Sequence, residues 1–276
     1  MAGKHTLEAH NRSAIEGLNQ RGGRMLSLID LIKARTVSLE LASEMVFVVS
    51  HRGSFLTAAG PGGVGKTTLM GALLAFLPPD TEIVTVETTA TLKPIGRPET
   101  SHPQCLMVHE IGSGFYYGYL WGQAVAEYFA LQQATRPLAS NLHAVTYGQA
   151  RALLTGPTLN VAAAHFAQVD LLAFMSKNCG ERRVATVWQA DGRGAHVQSW
   201  RWHEGRDAFE RCGSSKTAAR EDISDCGLET FARKIDASTD DVNRGLDRIR
   251  ELLMAALDED CHLITQLRKR ALKSLF

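Results

Sequence analysis

The stretch "AAGPGGVGKTTLM", Ala58 to Met70, constrains this chain more than any other. It fits two nucleotide fingerprints at once. Gly60 through Gly65 matches G-x-G-x-x-G, the dinucleotide-binding turn, and Gly60 through Thr67 matches G-x-x-x-x-G-K-[ST], the phosphate loop. "EIVTVE" follows and ends in Glu87, near where a dinucleotide fold places its ribose-binding acid.

Three features favour the phosphate loop. Lys66 and Thr67 directly follow the last glycine. In a phosphate loop that lysine reaches the β- and γ-phosphates and the hydroxyl ligates Mg²⁺, whereas a dinucleotide turn has no use for a lysine there. The backbone N–H groups of Gly62 to Thr67 converge at a helix N-terminus, which suits an anion. A random match in a chain of this length arises on the order of one time in a hundred. The whole loop, Gly60, Pro61, Gly62, Gly63, Val64, Gly65, Lys66, Thr67 and Thr68, is therefore expected to bind ATP, with Thr67 on Mg²⁺.

The surroundings fit an α/β fold. "SFLTAA" (54–59) reads as a strand running into the loop, and "KTTLMGALLAFL" (66–77) as a buried helix. Strands are expected at "EIVTVE" (82–87), "CLMVHE" (105–110), "YGYLWG" (117–122) and "PLASNLHA" (137–144). Helices are expected over "AVAEYFALQQA" (124–134) and from Tyr147. Such alternation predicts a mostly parallel sheet with its ligand at the carboxyl ends of the strands. From about Leu171 two or three antiparallel strands with tight turns follow, carrying Trp188, Trp200 and Trp202.

The expected division is a flexible lead-in at 1–24, a nucleotide-binding domain at 25–212 and a helical appendage at 213–276. Ser27 and Ser38 read as helix caps, as does Ser238 of the Ser-x-x-Asp start of "STDDVNRGLDRIRELLMAAL". That helix carries Val242, Leu246, Ile249 and Leu253 on one face.

Five cysteines without a C-x-x-C pair argue against zinc or a disulfide framework and fit a reducing compartment. No signal peptide and no membrane span are legible. The expectation is a cytoplasmic protein, free or held peripherally at the inner face of the cell membrane by a partner. A formal charge of +1 gives no nucleic-acid signature. The aromatic run Phe115, Tyr116, Tyr117, Tyr119 and Trp121 has no basic residue among it and reads as packing rather than base stacking.

Residues 25–92, from "MLSLIDLIK" through the loop to "VTVETTATL", resemble the nucleotide-binding domain of the type II/type IV secretion and pilus ATPases. "VTVETTATL" is similar to that family's Asp box, "TRPLASNLHA" to its His box, and "AFMSKNCGERRVATVWQADG" to the β-hairpin beyond it. The likeness spans roughly residues 25–210. It implies a RecA-like phosphate-loop NTPase that hydrolyses Mg²⁺-ATP in a cytoplasmic hexameric ring and drives a membrane export or pilus component.

Carried over, Glu87 sits near the metal or its waters, and His143 contacts the γ-phosphate region. The family's Walker B glutamate falls, by chain order, on Gln123 of "YLWGQ"; Glu110, closing the apolar run "CLMVHE", fits the generic form of that strand. The two assignments stay open together. A glutamine orients water but is a negligible base, so a second reading is a hydrolysis-impaired subunit in a mixed ring with a full-length paralogue. The family's arginine-bearing N-terminal domain does not fit in 24 residues. Arg21 and Arg24 are candidates to reach a neighbour's nucleotide, and otherwise are solvated linker charges.

Overall fold

The computed structural model describes residues 2–19, 22–60, 62–92, 102–114, 118–212 and 227–276. Along the chain the elements are α1 (Ala2–Gly17), α2 (Leu28–Lys33), α3 (Leu39–Ser50), β1 (Phe55–Ala59), α4 (Lys66–Leu74), β2 (Glu82–Thr85), α5 (Thr89–Leu92) and β3 (Gln104–Ile111). There follow β4 (Tyr119–Leu120), α6 (Gln123–Ala130), β5 (Leu138–His143), α7 (Tyr147–Thr155), α8 (Ala163–Phe166), β6 (Leu171–Asn178), β7 (Glu181–Ala190), β8 (His196–His203) and β9 (Ala208–Arg211). Three helices close the chain: α9 (Gly227–Lys234), α10 (Thr239–Asp258) and α11 (Ile264–Ser274).

Among the described residues nine strands form one mixed sheet in the order β2-β3-β5-β1-β6-β7-β8-β9, with β4 beside the end of β3. The pairs from β2 to β6 are parallel. The pairs from β6 to β9 are antiparallel. Strands β1, β3 and β5 are buried on both faces, which is why they read as apolar runs. Within β1, Phe55 and Ala59 join the cluster under α3 and α4, whereas Leu56 and Ala58 join the cluster under α6 and α7. Because parallel strands all end at the same edge, the loops after β1, β3 and β5 gather there.

Caps legible as local patterns form as expected. Ser27 and Ser238 each make a reciprocal capping box, with Asp30 and Asp241, and Ser38 caps α3. Val242, Leu246, Ile249 and Leu253 of α10 are buried in the same cluster as α3 and α4.

Two local expectations are corrected. The lead-in expected to be flexible contains helix α1, which packs along β2. Asn11 accepts a hydrogen bond from the Ile83 N–H and donates to the Thr81 carbonyl, both at 2.8 Å. The amide therefore covers the open edge of β2, much as another strand would. Polar composition concealed this, because Asn11 is buried as a backbone partner rather than solvated. The strand expected over 117–122 is only Tyr119–Leu120 in its described part, since Gly122 at φ +67° turns the chain into α6. Tyr117, like Phe115 and Tyr116, lies outside the described residues.

Among the described residues no helix is long and apolar enough to cross a membrane. Cys105, Cys179, Cys212 and Cys261 are free, and burial pushes the Cys105 thiol up to about 12, so it stays protonated and inert.

Candidate functional site

The turn from β1 into α4 is built by glycine. Gly63 and Gly65 sit at φ +79° and +111°, where a side chain would be strained. Gly60 is needed for space, since a Cβ there would lie 2.5 Å from Val145 Cγ1. Pro61 lies outside the described residues. Gly65 precedes the first turn of α4 without a side-chain cap, leaving that turn's N–H groups to the loop.

One helix start and two strand ends bring side chains together at this loop. Lys66 is buried at the start of α4, and its Nζ lies 3.4 Å from Oε1 of Glu110, near the end of β3. His143, at the end of β5, places Nε2 3.5 Å from the same oxygen. Its Nδ1 lies 2.9 Å from the Gly60 carbonyl, which can only accept, so Nδ1 carries the proton. Burial pushes the Glu110 carboxyl up, while Lys66 and His143 pull it back. Glu110 Oε1 is buried without a hydrogen-bond partner among the described residues. An unsatisfied buried oxygen of this kind is open to a ligand or a water.

Asn141 ties the strands together beneath the loop. Its Oδ1 accepts from the Thr57 hydroxyl, and its Nδ2 donates to Thr67 Oγ1 at 3.1 Å and to the His109 carbonyl at 2.6 Å. The amide holds the Thr67 hydroxyl in place from below. His109 is partly buried against Tyr119, and burial lowers its pKa, which keeps it neutral at physiological pH.

His109, Glu110 and His143 line a cavity of about 590 Å³ together with Gly62 to Thr68. Leu18, Met25, Leu26, Leu31, Ala34 and Thr36 also line it. Its size and mixed lining are those of a small-molecule site. Met175 and Arg182 of the β6–β7 hairpin approach the loop at Gly65 and Gly63, and Arg183 also lines the cavity.

The placement of the expected residues is uneven. Lys66, Thr67, Thr68, Glu110 and His143 come together with the glycines and Val64. Gln123 is exposed at the start of α6 and does not line the cavity. Glu87 follows the end of β2, three strand positions from β1, and is also absent from the lining. Arg24 pairs with Asp30 at 2.7 Å and donates to the His262 carbonyl, and Arg21 lies outside the described residues.

Asn141, Arg182 and Arg183 were missed by sequence reasoning. An asparagine in the middle of an apolar strand was the available clue, since buried polar residues need partners.

Arg183 anchors the hairpin. Its guanidinium donates to Asp207 at 2.9 Å and to Glu181 at 2.8 Å, and Trp202 donates to the same Asp207. The Arg183 hydrogen bond, helped by Trp202, holds the Asp207 carboxyl down to about 2. A depressed carboxyl contributes stability that is present above its unfolded value of about 3.9 and lost as pH falls through the folded value. Acidification through that window is expected to loosen β7, seen as faster amide hydrogen exchange there. Asp207→Asn is expected to exchange faster already at neutral pH and to lose the pH dependence.

Among the described residues no group of three or more His, Cys, Asp or Glu side chains forms a metal cage. Searches of the chain against protein-family models and against curated proteins return no match.

Proposed function

We propose that the chain binds Mg²⁺-ATP at the glycine loop and hydrolyses it, as a RecA-like motor ATPase of the secretion/pilus type. The observation that carries this reading is the convergence of Lys66, Glu110 and His143 over a loop whose backbone is shaped by Gly63 and Gly65. The metal fits the donor set. Mg²⁺ keeps several waters and is held mostly by substrate phosphates, so the Thr67 hydroxyl, positioned by Asn141, would be its protein ligand. When bound, Mg²⁺ neutralises charge across the β- and γ-phosphate oxygens.

The residues divide the work as follows. The loop N–H groups hold the phosphates. Lys66 leaves Glu110 for the β/γ oxygens, which removes the cation that stabilised the carboxylate and makes Glu110 a stronger base. Glu110 orients a water and takes its proton as the water oxygen bonds to the γ-phosphorus. The bond from that phosphorus to the β–γ bridging oxygen breaks, giving ADP and inorganic phosphate. His143, fixed on Gly60, reports the occupant of this space to the end of β5.

In this reading Glu110 does the Walker B work, and Glu87 and Gln123 take no part in the chemistry. Of the grounds for a hydrolysis-impaired subunit, Gln123 is exposed outside the cavity and lends that alternative no support. The same reading carries a ring, homo-oligomeric or mixed, that delivers work to a membrane export or pilus component.

The test is phosphate release from Mg²⁺-ATP by the purified chain. Gln123→Glu is expected to change turnover by less than about twofold, because a surface substitution away from the reacting atoms removes no transition-state contact. A large gain from Gln123→Glu would move the Walker B role back to that position.

A further inference from the structure

The β6–β7 hairpin holds a cation over the phosphate loop that the fold does not neutralise. Arg182 is exposed, lines the cavity, and donates from Nε to the Gly63 carbonyl at 3.2 Å. A Cβ on Gly65 would lie 3.4 Å from Arg182 Cδ, so the arginine stem runs along the loop itself. No carboxylate pairs with Arg182 among the described residues, and its two Nη groups have no protein partner there. The adjacent Glu181 is engaged by Arg183, which is buried and also held by Asp207.

A second observation points the same way. Lys177 lies directly across the hairpin from Arg182, on the same face. Met175 shares that face and comes within 3.3 Å of the same Gly65 Cβ position, so the face looks onto the loop. Like charges directly opposed across an antiparallel pair repel. Arg182 beside the backbone N–H groups of the loop, with exposed Lys177 across the hairpin from it, favours a multiply charged anion.

We propose that Arg182 contacts the terminal phosphate of the bound nucleotide in cis, with Lys177 adding charge behind it. This inference rests on the ATP reading above. The Nε bond to Gly63 fixes the stem and leaves the planar fork of Nη groups for phosphate oxygens. As the bond to the bridging oxygen breaks, negative charge grows on that oxygen and on the γ oxygens, and the guanidinium stabilises it. Arg182 forms no covalent bond and gives up no proton. Arg183 is the positioning residue that keeps the hairpin over the loop.

The experiment uses the full chain with Arg182→Ala, Arg182→Lys and Lys66→Ala. It measures kcat, KM for ATP, and affinity for ADP with and without aluminium fluoride, which mimics the transferring phosphoryl group. Arg182→Ala is expected to lower kcat on the order of 10²–10³-fold, the scale for losing one transition-state donor. Its ADP affinity stays within about threefold, because the interaction is made to the γ position, and the fluoride-dependent gain in affinity disappears. Arg182→Lys recovers part of that gain, as a point charge without the fork.

Turnover within about twofold of the unsubstituted chain would overturn the proposal. So would equal losses of ADP affinity and of kcat, which would make Arg182 merely structural. Lys66→Ala separates the two levels. If it binds ATP and ADP as well as the unsubstituted chain, the nucleotide reading fails and this inference with it. If it loses binding while Arg182→Ala is silent, only this inference fails.

Discussion

Glu110→Gln is expected to lower ATP turnover by about 10²–10⁴-fold, the range for a lost general base, while ATP stays bound. Glutamine keeps the size and one acceptor oxygen of the side chain but takes up no proton at neutral pH. The loss should fall on kcat. Affinity for ATP is expected to rise, because binding to the native chain first breaks the 3.4 Å pair between Lys66 and Glu110. In the variant the ammonium has no carboxylate to leave. By linkage, ATP should then raise the variant's melting temperature more than that of the native chain. Equilibrium binding of ATP alongside single-turnover phosphate release reads both halves. A variant that turns over normally would remove Glu110 from the chemistry.

Lys66→Ala is expected to weaken ATP binding by about 10–100-fold, the scale of one charge-assisted hydrogen bond, and to bring turnover to background. The fold should survive. Deleting one partner of a buried ion pair is usually costly because the other charge is stranded. Here the stranded group is a carboxyl already pushed upward by burial, so it takes up a proton rather than staying ionised. The variant should therefore unfold near the native temperature at mildly acidic pH. It should lose stability progressively as pH rises and Glu110 is forced to ionise. Thermal melts across that range distinguish lost phosphate contact from lost structure.

The shape of the glycine loop was legible because it rests on backbone geometry that favours glycine, at Gly63 and Gly65. Helix starts were legible for a similar reason. Ser27 with Asp30, and Ser238 with Asp241, act over three residues, so the pattern and the contact lie in the same stretch of chain.

What was not legible was lateral. Chain order says nothing of β5 lying between β1 and β3, and that arrangement brings Glu110, Asn141 and His143 to one place. Without it, the Walker B assignment stays open between Gln123, by chain order, and Glu110, by local pattern. The edge of β2 was hidden likewise: Asn11 acts as a backbone partner some seventy residues from the strand it covers. Arg182 and Arg183 are adjacent in sequence with opposite fates. Strand alternation turns one toward the loop and the other toward Asp207.

The most direct test is the pH dependence of phosphate release from Mg²⁺-ATP by the native chain, with Lys66→Ala defining the background. The carboxyl that must be ionised to accept the water proton is pushed upward by burial. Turnover is thus predicted to stand well above that background. It should fall on acidification with an apparent pKa above the usual glutamate value of about 4.3, and this acid limb should be absent in Glu110→Gln. Phosphate release no faster than in Lys66→Ala at every pH, with ATP bound, would contradict the account.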